Sequence, residues 1–320
     1  MKTCLMLAAF GLLAAFPAAA QLAGRTEAAP LRSRTLTGEE FLRGNAPGAE
    51  ALLAGTLRLP PGAGLRVPAV VLVHGSGGIG PGVDAWAREL NGIGVAAYIL
   101  DSFAGRGIVS TVENQEQLNS LAMMVDAFRA LDMLAAHPRI RADRIAVMGF
   151  SKGAVASVYS AMDRFRGMHG SPERRFAAHI GLYTPCNVRY AEDTKLAPVP
   201  VRLFHGTADD YVPVAPCREY VARLREAGAD AVLTEYPDAQ HSFDNPASPR
   251  LVPVPRAQST RECRLAEGPD GRIRNAATGT DYSIRTDPCV AMGAHTGHNP
   301  EATAAVQVAV KAFLTETLLK

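Results

Sequence analysis

Short runs of branched apolar residues alternate along most of the chain with longer segments whose apolar residues recur at helical spacing. The strand-like runs are VPAVVLV (67–73), GVAAYIL (94–100), RIAVM (144–148), AHIGLY (178–183), VPVRLF (199–204) and DAVLTEY (230–236). The segments between them that predict helices cover residues 84–93, 114–137, 152–162 and 216–228. Strands that are apolar throughout and alternate with helices are typical of a mostly parallel sheet covered on both faces.

The ends of the chain add elements of other kinds. The segments LRSRTLT (31–37) and ALLAGTLRLP (51–60) predict antiparallel edge strands, and residues 301–318 return to helical periodicity. Residues 246–300 break the alternation, because they are rich in Pro, Gly, Arg and Thr and have too few apolar residues to build a core. We therefore expect one domain over residues 21–320, with 246–300 as an inserted loop or small cap that contains a hairpin turn at Asp270-Gly271.

The first twenty residues have the three parts of a signal peptide. Lys2 gives a positive start, residues 5–16 are apolar, and three alanines precede Gln21. The apolar run is too short to span a bilayer, and no second long apolar run follows it. Removal of residues 1–20 and export of the protein to the periplasm or the medium are therefore expected.

The cysteine count fits export. Five cysteines are present, and Cys4 would leave with the signal peptide. Four cysteines allow three pairings; we favour Cys186 with Cys217 and Cys263 with Cys289, because the second pair lies wholly within the segment that is poor in apolar residues. A metal site is the weaker alternative, since no C-x-x-C spacing is present.

Composition excludes some classes of function. The chain has 320 residues, 48% of them hydrophobic and 20% charged, with a formal net charge of +2. These values are ordinary for a globular protein, and the basic residues are scattered, so nucleic acid is not an expected partner. The oligomeric state cannot be read from the sequence.

The stretch GFSKGA (149–154) carries the first chemical signal. It places Ser151 between Gly149 and Gly153, where a buried strand gives way to a helix. A sharp strand-to-helix turn forces its central residue toward positive φ and leaves no room for side chains two positions away on either side. This is the G-x-S-x-G pattern of a nucleophile elbow, which exposes a serine hydroxyl at the edge of a sheet.

Other polar residues follow the ends of neighbouring strands, where the functional loops of α/β sheets gather. HGTADD (205–210) follows the seventh strand and DAQHSFDN (238–245) follows the eighth, so Ser, Asp and His occur in the order of an α/β-hydrolase triad. We expect His241 to be the base, because it alone among the eight histidines follows the last strand. Asp209 and Asp210 compete for the acid position, and we favour Asp209.

Candidate residues can also be named for two further roles, stabilisation of an oxyanion and binding of the substrate. The backbone N–H groups of Lys152, after the nucleophile, and of Ser76, in HGSGG after the third strand, are predicted to form the oxyanion hole. Arg106, in DSFAGRG after the fourth strand, has two interpretations. It could bind a substrate carboxylate, or it could form a structural ion pair that holds its own loop.

Together the blocks VPAVVLVHGSGG, YILDSFAGRG, DRIAVMGFSKGA, FHGTADDYVP and QHSFDN resemble the dienelactone hydrolase family of α/β-hydrolases. The resemblance runs from about residue 67 to 245 and resumes in the last helix. It implies one α/β-hydrolase domain, a triad of Ser151, Asp209 and His241, and hydrolysis of esters or lactones without a cofactor. The type enzymes have a cysteine nucleophile and an acidic residue after the third strand, whereas this chain has Ser151 and HGSGG. A general serine esterase is therefore expected rather than an enol-lactone hydrolase.

Three functions remain to be separated. The first is an exported serine esterase that cleaves small carboxylic esters or lactones through an acyl-enzyme. The second is a serine peptidase or polyester depolymerase with the same triad, in which the 246–300 segment would select the polymer chain. The third is a binding protein that has kept the hydrolase fold without its chemistry.

Overall fold

The centre of the fold is a strand whose seven residues are all buried, β4 (Val67–Val73). It pairs in parallel with β5 (Ala96–Asp101) and with β6 (Ile140–Phe150). The computed structural model of the protein describes residues 24–62 and 66–320. The predicted signal peptide, Cys4 included, lies outside these described residues, so the prediction of export stays a prediction.

Within the described residues, nine strands form one mainly parallel sheet around β4. Beyond β6 the sheet continues in parallel through β7 (His179–Leu182), β9 (Val201–Gly206) and β10 (Ala231–Tyr236). Beyond β5 it continues antiparallel through β3 (Ala49–Leu59), which pairs with β1 (Arg25–Ala28) and with β2 (Leu31–Thr35). The predicted fold class, a doubly wound α/β-hydrolase sheet with antiparallel N-terminal strands, is confirmed.

Helices cover both faces of this sheet. On one face lie α1 (Gly38–Arg43), α3 (Ser120–Ala135), α4 (Lys152–Tyr159), α5 (Asp163–His169) and α6 (Ala215–Glu226). On the other face α2 (Pro81–Gly92) and α7 (Pro300–Leu314) pack together, and a π-helical turn, Thr315–Leu319, follows α7. Two separate apolar cores result, one on each face of the sheet.

One helix of the described residues, residues 300–319, is long and apolar enough to cross a membrane, with a mean hydropathy of 1.3. Length and composition alone are weak evidence for a span. Val306, Val310, Leu314 and Leu318 are buried in the core that the helix shares with α2.

Three predicted elements differ from the structure. Residues 51–60 do not form an edge strand, because the outer side of β3 is paired with β2 and with the short strand β1, which the sequence pattern did not predict. The helix predicted from Asn114 is divided: a 3₁₀ turn covers Gln115–Gln117, and α3 begins after Asn119, whose side chain caps it by accepting from the N–H of Ala122. The last predicted helix ends as α7 at Leu314 and continues as the π turn.

Residues 246–300 are more ordered than a loop. They contain an antiparallel pair, β11 (Val252–Ser259) and β14 (Ala291–Thr296), and a hairpin of β12 (Leu265–Glu267) and β13 (Ile273–Asn275). Gly271 lies in the turn of the hairpin with a φ of 75°, as the predicted turn requires. The hairpin also joins β8 (Val188–Arg189), outside the segment, through β12. We call residues 246–300 the cap.

Both predicted disulfides are formed. Cys263–Cys289 lies within the cap, and Cys186–Cys217 joins the loop after β7 to helix α6. The Cys186–Cys217 disulfide therefore fixes the loop at the carboxyl end of β7, and the Cys263–Cys289 disulfide closes a loop inside the cap.

Candidate active site

Ser151 lies on the sharp turn that joins β6 to α4. Its backbone has a φ of 51°, a conformation that is costly for a residue with a side chain. A Cβ added at Gly149 would lie 2.1 Å from the carbonyl oxygen of Gly153, and one added at Gly153 would lie 2.2 Å from the carbonyl oxygen of Val73. Both glycines are therefore required by close backbone contacts, as the elbow pattern predicts.

Ser151, His241 and Asp209 form a continuous hydrogen-bonded chain. His241 Nε2 lies 3.0 Å from Ser151 Oγ, and His241 Nδ1 lies 2.8 Å from Asp209 Oδ2. The side chain of His241 is 4% exposed and that of Asp209 is fully buried. The rings of Tyr183 and Tyr211 pack on the imidazole at centroid distances of 4.7 and 4.8 Å and so limit its rotation. The arrangement is that of a nucleophile, a base and an acid that orients the base.

The carboxylate of Asp209 is held in one orientation. Its second oxygen, Oδ1, accepts from the backbone N–H groups of Tyr211 at 3.0 Å and Val212 at 2.8 Å. Burial alone would raise the pKa of Asp209, but the charge of His241 and the hydrogen bonds of His205 and His241 outweigh burial and lower the pKa to about 2. Asp209 is therefore ionised at neutral pH.

Asp210 has a different set of contacts. It is half-exposed, and its carboxylate accepts from the backbone N–H of His295 at 2.8 Å and lies 2.7 Å from His295 Nδ1. His295 belongs to β14 of the cap. Of the two candidates for the acid position, the structure brings Asp209 to His241 and uses Asp210 to fasten the cap.

The loop after β4 lies against the elbow. A Cβ at Gly75 would be 3.4 Å from Ser151 Cβ, so this loop approaches the nucleophile closely. His74 shapes the loop: its Nε2 accepts from the N–H of Ser102, so its Nδ1 carries the proton and donates to the carbonyl oxygen of Gly75. Burial lowers the pKa of His74 and favours this neutral form.

Ser151 lines a cavity with a volume of about 740 Å³, which is within the range of volumes of small-molecule binding sites. The two predicted oxyanion residues, Ser76 and Lys152, line it together with Ser151. Apolar side chains of the domain and of the cap form much of the wall, among them Leu42, Leu121, Val155, Leu265, Ile273 and Ile284. The cap is therefore one wall of the site.

The charged residues on this wall other than Lys152 are paired. Arg272 lies 3.1 Å from Asp281 and 3.5 Å from Glu39, and Glu116 lies 2.6 Å from Arg285. These ion pairs neutralise the charges near the cavity. The wall is therefore suited to a neutral molecule with a substantial apolar part.

The contacts of Arg106 favour a structural role over the predicted substrate binding. It is not on the cavity wall as far as the described residues define it, and its guanidinium forms a two-pronged ion pair with Asp126, at 2.7 and 2.9 Å. The guanidinium also donates to Thr35 Oγ1 and to the carbonyl oxygen of Ser102. These bonds leave the guanidinium occupied, and the structure favours the alternative interpretation, a structural ion pair.

Sequence reasoning missed several residues around Ser151, His241 and Asp209. Tyr183, Tyr211 and Asp244 are buried beside or behind His241, and Asp244 accepts from Tyr183 Oη at 2.9 Å and from Trp86 Nε1 at 2.6 Å. Burial raises the pKa of Asp244. The available signal was position, since Tyr211 and Asp244 lie in the loops of Asp209 and His241, and Tyr183 directly follows the end of β7.

Comparisons with known proteins agree with this architecture. A sequence model of the dienelactone hydrolase family matches residues 53–265, about two thirds of the chain. A Methylorubrum extorquens protein named for carboxymethylenebutenolidase activity is 25% identical over 217 residues, covering 61% of this chain and 74% of that protein.

Solved structures share the fold. A dienelactone hydrolase-like promiscuous phosphotriesterase from metagenomic libraries has a TM-score of 0.60 at 18% identity, covering 91% of this chain and 98% of that chain. The structure named m3DLH has a TM-score of 0.59 at 20% identity, covering 92% of this chain and 99% of that chain. Given the match over two thirds of its length, the chain belongs to the dienelactone hydrolase family and is a carboxylic ester hydrolase.

Proposed function

We propose that the protein is a serine esterase that cleaves neutral small-molecule esters or lactones through a Ser151-His241-Asp209 triad and an acyl-enzyme. The observation that carries the proposal is the chain of hydrogen bonds of 3.0 and 2.8 Å, which ends at a serine on the wall of a large cavity. The paired charges of that wall support neutral substrates.

The steps follow from the proton positions. Ser151 Oγ attacks the carbonyl carbon while His241 Nε2 takes its proton, and Asp209 stabilises the resulting imidazolium. The backbone N–H groups of Ser76 and Lys152 stabilise the oxyanion. The C–O bond to the alcohol then breaks, and the alcohol leaves with the proton held by His241. Water, activated by the same imidazole, attacks the acyl-enzyme, releases the acid and restores the Ser151 hydroxyl.

The test is hydrolysis of p-nitrophenyl esters of increasing acyl length by wild type, Ser151→Ala and Ser160→Ala. Ser160 is a matched control, because it is also a buried serine after the elbow, but its hydroxyl donates to the carbonyl oxygen of Ser157. We expect turnover and fluorophosphonate labelling to vanish in Ser151→Ala alone. Hydrolysis of a peptide or a polyester in preference to these esters would favour the peptidase or depolymerase instead. A folded wild type that neither turns over nor labels would favour the binding protein.

We also propose that the enzyme is exported. The two disulfides support this, because disulfides persist mainly in oxidising compartments. Mass spectrometry of the protein from a bacterial host should find a mature N-terminus near Gln21 in the periplasm or medium. Protein that keeps Met1 and stays in the cytoplasm would contradict the proposal.

A further inference from the structure

The side chain of Lys152 has no part in the mechanism above, which uses only its backbone N–H. Lys152 is 6% exposed, and its amine donates to Thr111 Oγ1 at 3.1 Å and to the carbonyl oxygen of Gln115 at 3.0 Å. Within residues 24–62 and 66–320 the amine forms no ion pair. Burying an amine without a carboxylate partner costs free energy, so the position of this side chain next to the nucleophile needs a physical explanation. Burial lowers the pKa of Lys152 to about 7.

The two residues that hold the amine also hold Ser76. The backbone N–H of Thr111 donates to the carbonyl oxygen of Ser76 at 2.8 Å. Ser76 Oγ donates to Gln115 Oε1 at 3.0 Å. The amine of Lys152 is thus connected, through one residue on each side, to both the backbone and the side chain of Ser76.

The same segment is held from the opposite side by the cap. The backbone N–H of Gln115 donates to Gln258 Oε1 at 2.9 Å, and Gln258 Nε2 donates to the carbonyl oxygen of Ile284 at 2.9 Å. The backbone N–H of Gln258 donates to the carbonyl oxygen of Val112 at 2.9 Å. Residues 111–115 therefore lie between the elbow, the loop that carries Ser76 and the cap.

We propose that the Lys152 side chain is a positioning residue that fixes residues 111–115 against the nucleophile elbow and thereby sets the distance between the Ser76 N–H and the oxyanion. The inference rests on the proposed function, in which this N–H is the second oxyanion donor. Stabilisation of an oxyanion depends on donors that are already placed where the charge develops, so a small displacement lowers turnover more than binding.

The test is a double-mutant cycle with Lys152→Met, which keeps the length of the chain, and Thr111→Val, which keeps its shape. We expect Lys152→Met to lower kcat roughly 10- to 100-fold, as a misplacement on the order of 1 Å can do, while KM changes by less than about threefold. Fluorophosphonate labelling should slow in parallel. The Thr111→Val loss should be smaller, and the double variant should be no slower than Lys152→Met, because both changes break the same contact.

A second pair serves as the control. Ser160→Ala removes a hydrogen bond of the same helical region that does not involve residues 111–115. Its effect should add to that of Lys152→Met, since the two sites share no partner. A purely structural role would lower the melting temperature of Lys152→Met and leave kcat within about twofold of wild type, which would overturn the inference.

Two further outcomes are decisive. Should Lys152→Met fail to fold, Thr111→Val decides alone, and an unchanged kcat in that variant overturns the inference. Wild-type activity that survives Ser151→Ala would refute the proposed function and this inference together. By contrast, an inactive Ser151→Ala together with a Lys152→Met of wild-type kcat would refute this inference and leave the proposed function standing, so the two failures can be told apart.

Discussion

The ion pair of Arg106 with Asp126 predicts a large loss of stability and no change in substrate charge preference when Arg106 is replaced. The side chain of Arg106 is 6% exposed and that of Asp126 is fully buried. Asp126 also accepts from the hydroxyl of Ser33 on β2. Arg106→Met keeps the apolar stem of the side chain and removes only the guanidinium, so it leaves a buried carboxylate without its counter-ion.

The magnitude follows from this burial. Removing one partner of a buried, hydrogen-bonded ion pair costs about 3–5 kcal/mol, because the remaining charge is uncompensated. The free energy of unfolding of a typical domain is only about 5–15 kcal/mol. Arg106→Met should therefore lose a large part of the stability of the protein. Further contacts would be lost with the guanidinium, since Arg106 also donates to Thr35 Oγ1 at 2.6 Å and to the carbonyl oxygen of Ser102 at 2.8 Å. Arg106 therefore connects the end of β2, the loop after β5 and helix α3.

Urea unfolding of wild type, Arg106→Met, Asp126→Asn and the double variant measures this loss. The double variant should be less destabilised than the sum of the single variants, because it contains no unpaired buried charge. The folded fraction of each variant should retain the wild-type ratio of kcat/KM for neutral and anionic esters. An Arg106→Met protein of wild-type stability that selectively loses anionic esters would refute the reasoning and restore Arg106 as a substrate-binding residue.

Three other predictions follow from the same contacts. Asp209→Asn should lower kcat by about 10⁴-fold, as loss of the acid does in serine hydrolases, whereas Asp210→Asn should stay within about tenfold; the reverse order of kcat values would contradict the assignment. The pKa of Lys152 is lowered to about 7 in the folded state, so above that pH the unfolded chain binds more protons than the folded one. The unfolding free energy of wild type, relative to that of Lys152→Met, should therefore rise by about 2 kcal/mol from pH 7 to pH 9. A difference between the two proteins that does not change with pH would refute the lowered pKa. Replacing Cys263 and Cys289 by serine should cost about 3–4 kcal/mol in urea unfolding by loop-closure entropy, and a loss below about 1 kcal/mol would contradict a structural role for the disulfide.

The parallel part of the sheet could be predicted because its strands are marked by composition alone. β4 matches the predicted run of residues 67–73, since every position is apolar and every side chain is buried. β1 has the sequence RTEA with mostly exposed side chains, so no apolar pattern marks it. The cap strands carry few large apolar side chains, and a disulfide and a small apolar cluster with Tyr211 compensate for the lack of a larger core.

The elbow and the order of the loops singled out Ser151 and His241, which the structure brings within hydrogen-bond distance of each other. Their catalytic roles stay predictions. The acid position was left open between two residues, because neighbouring aspartates on one loop carry the same sequence signal. The backbone decides between them, because the N–H groups of Tyr211 and Val212 converge on Asp209 and turn its carboxylate toward His241. The direction of these backbone N–H groups depends on the tertiary structure and cannot be read from the local sequence ADDYV.

The structure favours the ion-pair interpretation of Arg106, and a signal for that interpretation was present in the sequence. Asp126 lies in the middle of LAMMVDAFRAL, between apolar residues of helix α3 that are themselves buried. A carboxylate at a buried helix position needs a partner, and an arginine from a loop at the end of a neighbouring strand can supply one. Sequence separation gave no indication that the two would meet.

The cap does more than line the cavity, because it is also hydrogen-bonded to segments next to the proposed catalytic residues. β11 is joined to the segment that contacts the loop of Ser76, through the hydrogen bond between Gln258 and Gln115. The end of β14 is joined to the loop of Asp210, and just beyond β14 the backbone N–H of Gly297 donates to the carbonyl oxygen of His241 at 3.0 Å. The cap is thus hydrogen-bonded to the loops of Asp210 and His241, and to residues 111–115, which in turn contact the loop of Ser76. A change in the cap that alters substrate size preference should for this reason also alter turnover, because one set of contacts shapes the cavity and holds the reacting groups.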